Sequence, residues 1–206
     1  HKLTEQIFAS IRSLLEEKRL LLKSGTIVDA TLIAAPPSTK NAEGKRDPEM
    51  HQAKTGNVWH FGMKAHIGTD KRGIVHSLCT TAATVADNTQ MHRLLHGEER
   101  EVFGDQAYWN EAHRRSAQAA GVRYRVNRRP ARKPLNDYWR FINQRRSAAR
   151  ARVEHAFHVI KHLWGFTKVR YRGLAKNTAR LHTAFALSNL YLLRRRLLPP
   201  QWRCAS

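Results

Sequence analysis

Two aspartates stand where the chain offers no local reason for them. Asp29 interrupts the β-branched run TIVDATLIA, which reads as a short buried strand, and Asp105 ends the run VFGD. A carboxylate in a buried strand is costly unless it is paired or faces a cation. Asp70, in a turn, and Asp87, at a helix start, have ordinary explanations. A third acid comes from the C-terminal half. Residues 110–206 hold 23 Lys and Arg against three acids, Glu111, Asp137 and Glu154. Glu111 and Asp137 follow Asn at helix starts, where a carboxylate complements the helix dipole. Glu154 sits mid-helix among Arg146, Arg150, Arg152 and Lys161.

On a helix turning about 100° per residue, Arg150, Glu154 and Lys161 share one face. Val153, Phe157, Ile160 and Trp164 form the adjoining apolar stripe that packs on a sheet. Helix geometry alone favours a bland reading of Glu154, a surface pair with Arg150 worth a few tenths of a kcal/mol. The two strand aspartates shift the balance. Hard divalent ions such as Mg²⁺ or Mn²⁺ take carboxylate oxygens, and two ions ~3.5–4 Å apart stabilise both the attacking and the leaving oxygen of a phosphodiester. The sequence lacks a phosphate-binding GxxxxGK[ST] loop, a Cys/His zinc set and a serine elbow.

The elements that must position these acids can be read along the chain. Residues 3–22 form an amphipathic helix that Ser24 and Gly25 end. Residues 26–34 are a strand, and 35–57, rich in Pro, Gly and Lys, are a mobile surface loop. VWHFGMKAHIGT and GIVHSLCTTAATV are two strands joined by a turn at residues 70–73. Asp87 and Asn88 cap a short helix. Strand, helix and strand follow through REVFGDQAYW, NEAHRRSAQAAG and VRYRVNR, then long helices. The class is α/β, a mixed sheet flanked by helices, preceded by one helix and followed by long C-terminal ones.

Composition narrows the partner. At 41% hydrophobic and 26% charged, the chain is globular rather than disordered, and no apolar run is long enough to span a membrane. Of the net +21, residues 110–206 carry +20. A half this basic repels itself unless a polyanion shares its surface, so DNA or RNA is the expected partner. A ribosomal-type structural protein has the same charge signature. Cys79 and Cys204 form no metal or disulfide pattern, which suits a reducing cytoplasm. Beginning at His1, the chain reads as a fragment.

Four ordered segments resemble the insertion sequence 5 family of DDE transposases: GTIVDATLIAAPPSTKN, RDPEMHQAKTGNVWHFGMKAHIG, FGDQAYW, and Arg150-x3-Glu154-x6-Lys161. The resemblance runs from about Gly25 to about Leu193. It implies a ribonuclease H-like fold with Asp29, Asp105 and Glu154 as catalytic metal ligands for two Mg²⁺ or Mn²⁺ ions. It implies end cleavage and strand transfer on double-stranded DNA, at terminal inverted repeats and a target, by at least a homodimer at the bacterial nucleoid. Arg150 and Lys161, with Arg146, would bind DNA-end phosphates, and Arg150 and Lys161 would also orient Glu154. Tyr108 and Trp109 suit either a flipped base or the core. The implied division is a helical linker at 1–24, a catalytic domain at 25–196 and a tail at 197–206. The family's Tyr-x2-Arg-x3-Glu-x6-Lys signature has a Tyr where this chain has Ser147, so an inactive DNA-binding remnant stays an alternative. His158 and His162 have zinc-pair spacing without a third ligand, and read as a polar helix face. Arg194, Arg195 and Arg196 read as a phosphate-contacting or solvated cluster.

Overall fold

A computed structural model describes residues 2–40, 44–130 and 134–198. Its centre is a six-stranded mixed sheet. Strands β1 (Gly25–Ala34), β2 (His51–Thr55), β3 (Val58–Thr69), β4 (Val75–Ala82), β5 (Glu101–Gly104) and β6 (Arg123–Val126) run in the order β2-β3-β1-β5-β6, with β4 also paired to β3. The first four make antiparallel pairs and β1, β5 and β6 parallel ones. The alternation of side chains then divides each strand between two faces. One face puts Ile27, Ile33, Met63 and Ile67 against Val153, Phe157, Ile160 and Phe185 of the C-terminal helices. The other packs Val28, Cys79 and Val102 on Met91, Leu94 and Tyr108. The fold class expected from the sequence is thus an observed mixed α/β architecture.

The helices are α1 (Leu3–Glu17), α2 (Glu111–Ala119), α3 (Asp137–Arg150), α4 (Glu154–His158) and α5 (Leu174–Leu197). α1 stops five residues short of the expected end. Arg19 turns left-handed at φ 54°, and the Leu20 and Leu21 N–H groups both donate to the Leu15 carbonyl. Leu21 is thereby folded in on Leu15, Ile74 and Leu193, a burial that continued helix would forfeit. The described residues of the segment at 35–57 also hold more regular structure than expected. It contains β2, and Asp47 and Glu49 accept from the Gly173 and Leu174 N–H groups at 2.6 and 2.7 Å, capping α5. Around the short helical turn Asp87–Arg93, Asp87 makes no cap; it pairs with Lys64 at 2.8 Å. Cys204 and the tail beyond Leu198 lie outside the described residues.

Two buried histidines make the fold pH-sensitive. His66 bonds to the Thr81 hydroxyl at 2.8 Å, and His76 bonds to that of Thr26 at 3.2 Å. Burial holds each ring down at about 4. The unfolded chain takes up these protons near the ordinary value of about 6.5, while the fold refuses them until about 4. Stability is therefore whole above that upper value and drains away as pH falls through the window. Urea midpoints should drop steadily from pH 7 to pH 4.5, and less steeply in His76→Asn. A flat profile in the wild type would show that these rings are not held neutral.

Candidate active site

Asp29 and Asp105 reach the same place by strand pairing. The parallel register of β1 and β5 runs from Gly25 beside Glu101 to Ile27 beside Phe103, and Asp29 and Asp105 each follow two residues on. Gly104 makes that approach possible. A Cβ there would stand 3.1 Å from Val28 Cγ2 and 3.2 Å from Tyr108 Cβ, tighter than ordinary packing. The Asp105 carboxylate accepts from the Ala107 N–H at 2.9 Å and so caps the turn Gln106–Tyr108. That turn drives Tyr108 beneath the strand, where it is 1% exposed. The Gly-Asp-x-x-Tyr spacing thus has a local cause: a gap, a cap and a plug.

Asp29 is the electrostatic centre. Burial, more than anything else, pushes its carboxyl up to about 6, and the neighbouring charge of Asp105 adds to the rise. Arg150 opposes this by donating to Asp29 Oδ2 at 2.9 Å, and the Ala30 N–H does so by donating to Oδ1 at 2.9 Å. The Tyr108 hydroxyl, raised first by its own burial, also feels Asp87, Asp29 and Asp105. Asp87 therefore belongs to the same acidic neighbourhood. Sequence reasoning set it aside as a cap, because its ion pair with Lys64 joins residues far apart in the chain.

Glu154 departs most from its expected setting. It is exposed, and among the described residues no three His, Cys, Asp or Glu side chains gather as a metal site. The helix does not keep one phase from Arg150 to Trp164. Ala151–Val153 is a 3-10 turn and Val159–Leu163 a π segment. Three residues of 3-10 geometry add roughly 60° to the rotation expected of an α-helix, which separates Arg150 from Glu154. Arg150 consequently grips Asp29 instead of forming the surface pair with Glu154. The π segment throws Trp164 outward, 40% exposed, and Phe166 takes the buried place. Lys161 stays half-buried, its pKa lowered by burial, with no carboxylate partner among the described residues.

The remaining site residues separate into structural and exposed groups. Tyr108 is core, so no base can stack on it here, and the half-buried Trp109 meets Tyr124 edge-on at 5.7 Å. Arg146 gives one N–H to the Val126 carbonyl at 2.7 Å and lies 5.8 Å from the Trp139 ring, tying α3 to β6. Ser147 accepts from the Asn127 side chain at 2.8 Å. His158 and His162 stack on each other, exposed, with ring centres 5.1 Å apart. Arg194 lies 4.1 Å over the Tyr191 ring.

Two adjacent carboxylates of an acid neighbourhood beside a strongly basic half are what the geometry contributes. The family model described as "Transposase DDE domain" matches residues 21–190. The chain belongs to the transposase DDE domain family. That membership makes it a transposition enzyme by kind, one that acts on DNA. A DDE domain works with divalent metal, and the Asp29–Asp105 pair fits one: both are hard oxygen donors, and the Asp105 charge raises the cost of ionising Asp29 until a cation balances it. No helix among the described residues of this DDE domain is long and apolar enough to cross a membrane.

Proposed function

We propose that this chain is the catalytic part of an insertion-sequence transposase of the insertion sequence 5 family, cutting DNA at the element's terminal inverted repeats and joining the ends to target DNA. The sheet, with β1 and β5 parallel at its middle and an antiparallel hairpin beside them, supports a ribonuclease H-like reading. In this reading residues 1–24 lead in, 25–196 carry the catalysis and 197–206 trail. The observation that carries the proposal is the convergence of Asp29 and Asp105 where the pairing of β1 and β5 ends.

Asp29 and Asp105 would hold Mg²⁺ or Mn²⁺, two ions when fully loaded, with Glu154 joining them from the adjacent helix. The bound metal supplies charge neutralisation at the phosphodiester and lowers the pKa of a water. The protein's own groups do the rest. Arg150 keeps the Asp29 carboxylate ionised and aimed. Lys161, a desolvated cation lacking a carboxylate partner, contacts a DNA phosphate. Work on two DNA ends calls for at least a homodimer, and the setting is the bacterial cytoplasm at the nucleoid.

Nicking of supercoiled plasmid carrying the element's ends tests this. Mg²⁺ should permit nicking, and both EDTA and Asp105→Asn should prevent it. Metal-independent nicking would refute the carboxylate site. Tight DNA binding without nicking in any divalent metal would identify an inactive remnant, as Ser147 in place of the signature Tyr suggests.

A further inference from the structure

Tyr138, Phe141, Arg145, Ala148 and Arg152 recur at alternating steps of three and four residues. Such spacing draws one stripe along a helix. Here the stripe runs along the solvent side of α3 to Ala148, Arg152 lies roughly 40° off its line because the following turn is 3-10, and all five residues are exposed. Tyr138 is 63% and Phe141 52% exposed. The opposite side does the anchoring. Arg146 and Arg150 reach the Val126 carbonyl and Asp29, and Asn143 exchanges two hydrogen bonds with the Arg128 backbone at 2.9 and 3.0 Å. The stripe is thus held rigidly while contributing nothing to the core.

Its chemistry selects a partner. The Arg145 guanidinium lies 4.9 Å over the Phe141 ring. The only acid on α3, Asp137, is bridged to Arg140 at 2.6 Å, so Arg145 and Arg152 have no carboxylate partner among the described residues. Exposed rings, with Arg145 covering one face of Phe141, beside guanidinia that lack carboxylate partners suit a chain that alternates aromatic planes with phosphates. In a duplex the base faces are covered by their neighbours, so only unpaired bases can use the rings. We propose that this stripe is a track for single-stranded DNA. The cationic end, at Arg152, adjoins Glu154, and the aromatic end lies about 20 Å further along the axis, room for several nucleotides. The track's purpose, holding a strand frayed from the cleaved end, rests on the function proposed above; its capacity to bind does not.

Binding can therefore be measured in EDTA, with no cleavage in play. The probe is a short single-stranded oligodeoxynucleotide containing 2-aminopurine, set against its duplex. Wild-type protein should quench the single-strand fluorescence through stacking. Tyr138→Ala with Phe141→Ala should abolish the quenching and weaken single-strand binding about tenfold or more, at about 1–3 kcal/mol per stacked base, with less than about a twofold loss on duplex. Arg145→Ala with Arg152→Ala should weaken both forms and flatten the salt slope by about two contacts. Melting curves of Tyr138→Ser and Phe141→Ser separately guard against a folding defect, and the wild-type quenching needs no variant. Absence of quenching, or equal losses on both DNA forms, would overturn the proposal. So would a change of oligomeric state with single-strand binding intact, which would make the stripe a protein interface. Failure here leaves plasmid nicking untouched, so the two proposals fall separately.

Discussion

Asp105→Asn, Asp29→Asn and Glu154→Gln should each cut single-turnover strand cleavage by two to three orders of magnitude, about the loss that follows removal of a main electrostatic contact from a reacting centre, or more. None should unfold the protein. In Asp105→Asn the amide oxygen still accepts from the Ala107 N–H and preserves the cap that seats Tyr108. In Asp29→Asn an oxygen likewise remains for the Ala30 N–H. Glu154 is exposed and forms no ion pair among the described residues, so its substitution should leave melting unchanged. A large rate effect at Glu154 would accordingly have no structural explanation, and would mean that the side chain swings to the aspartates when DNA and metal are present. DNA binding at the salt concentration of the assay should stay within about threefold for all three, since the cations that grip phosphate are untouched. If Glu154→Gln cleaves normally while both aspartate variants are dead, the third acid lies elsewhere. Asp87, already within the electrostatic reach of Tyr108 together with Asp29 and Asp105, is then the first to replace.

The two strand aspartates were legible in the sequence because a charge inside a β-branched run violates a strong local rule. Strands β1, β3 and β4 were legible for the same reason in reverse, their patterns being regular. β2 was not: His51-Gln-Ala-Lys-Thr is polar, and it is a strand because its backbone pairs with Val58–Gly62. What lay beyond reach was mostly contact between distant segments. Arg150 and Asp29 are 121 residues apart, so spacing along the helix pointed Arg150 at Glu154 instead. Lys64 removed Asp87 from its capping role in the same way. The misread settings of Glu154 and Trp164 share one cause, the assumption of uniform α geometry. A 3-10 turn before Glu154 and a π segment after His158 each change the rotation per residue, and nothing in Ala-Arg-Val or Val-Ile-Lys-His-Leu announces them. They arise where the helix must keep Val153, Phe157 and Ile160 buried on a sheet while Phe166 turns back beneath them.

Metal should invert the stability order of wild type and Asp29→Asn. In EDTA the wild type carries a handicap at neutral pH. Its Asp29 carboxyl is pushed up to about 6 from 3.8, so the fold holds that proton more tightly than the unfolded chain does. The group therefore favours the fold below the lower value, and this advantage is lost as pH rises through the upper one. At about 1.4 kcal/mol per pH unit, the ionised carboxylate costs up to about 3 kcal/mol at pH 8 relative to a neutral side chain of the same shape. Asparagine removes that penalty, and the attraction of Arg150, whose side chain is 23% exposed, is already contained in the raised value. The gain for Asp29→Asn should be about 2–3 kcal/mol at pH 8 and should vanish by pH 4, where both side chains are neutral. Saturating Mg²⁺ acts only on the protein that binds it, adding about 4.1 kcal/mol at a thousand times the dissociation constant. Wild type should then overtake the variant. Denaturant midpoints at pH 8, with EDTA and with excess Mg²⁺, supply the four numbers required. A metal shift of equal size in both proteins would place the cation away from Asp29. An unchanged order without metal, wild type above variant, would mean that Arg150 outweighs burial and that Asp29 is held in place by its ion pair alone.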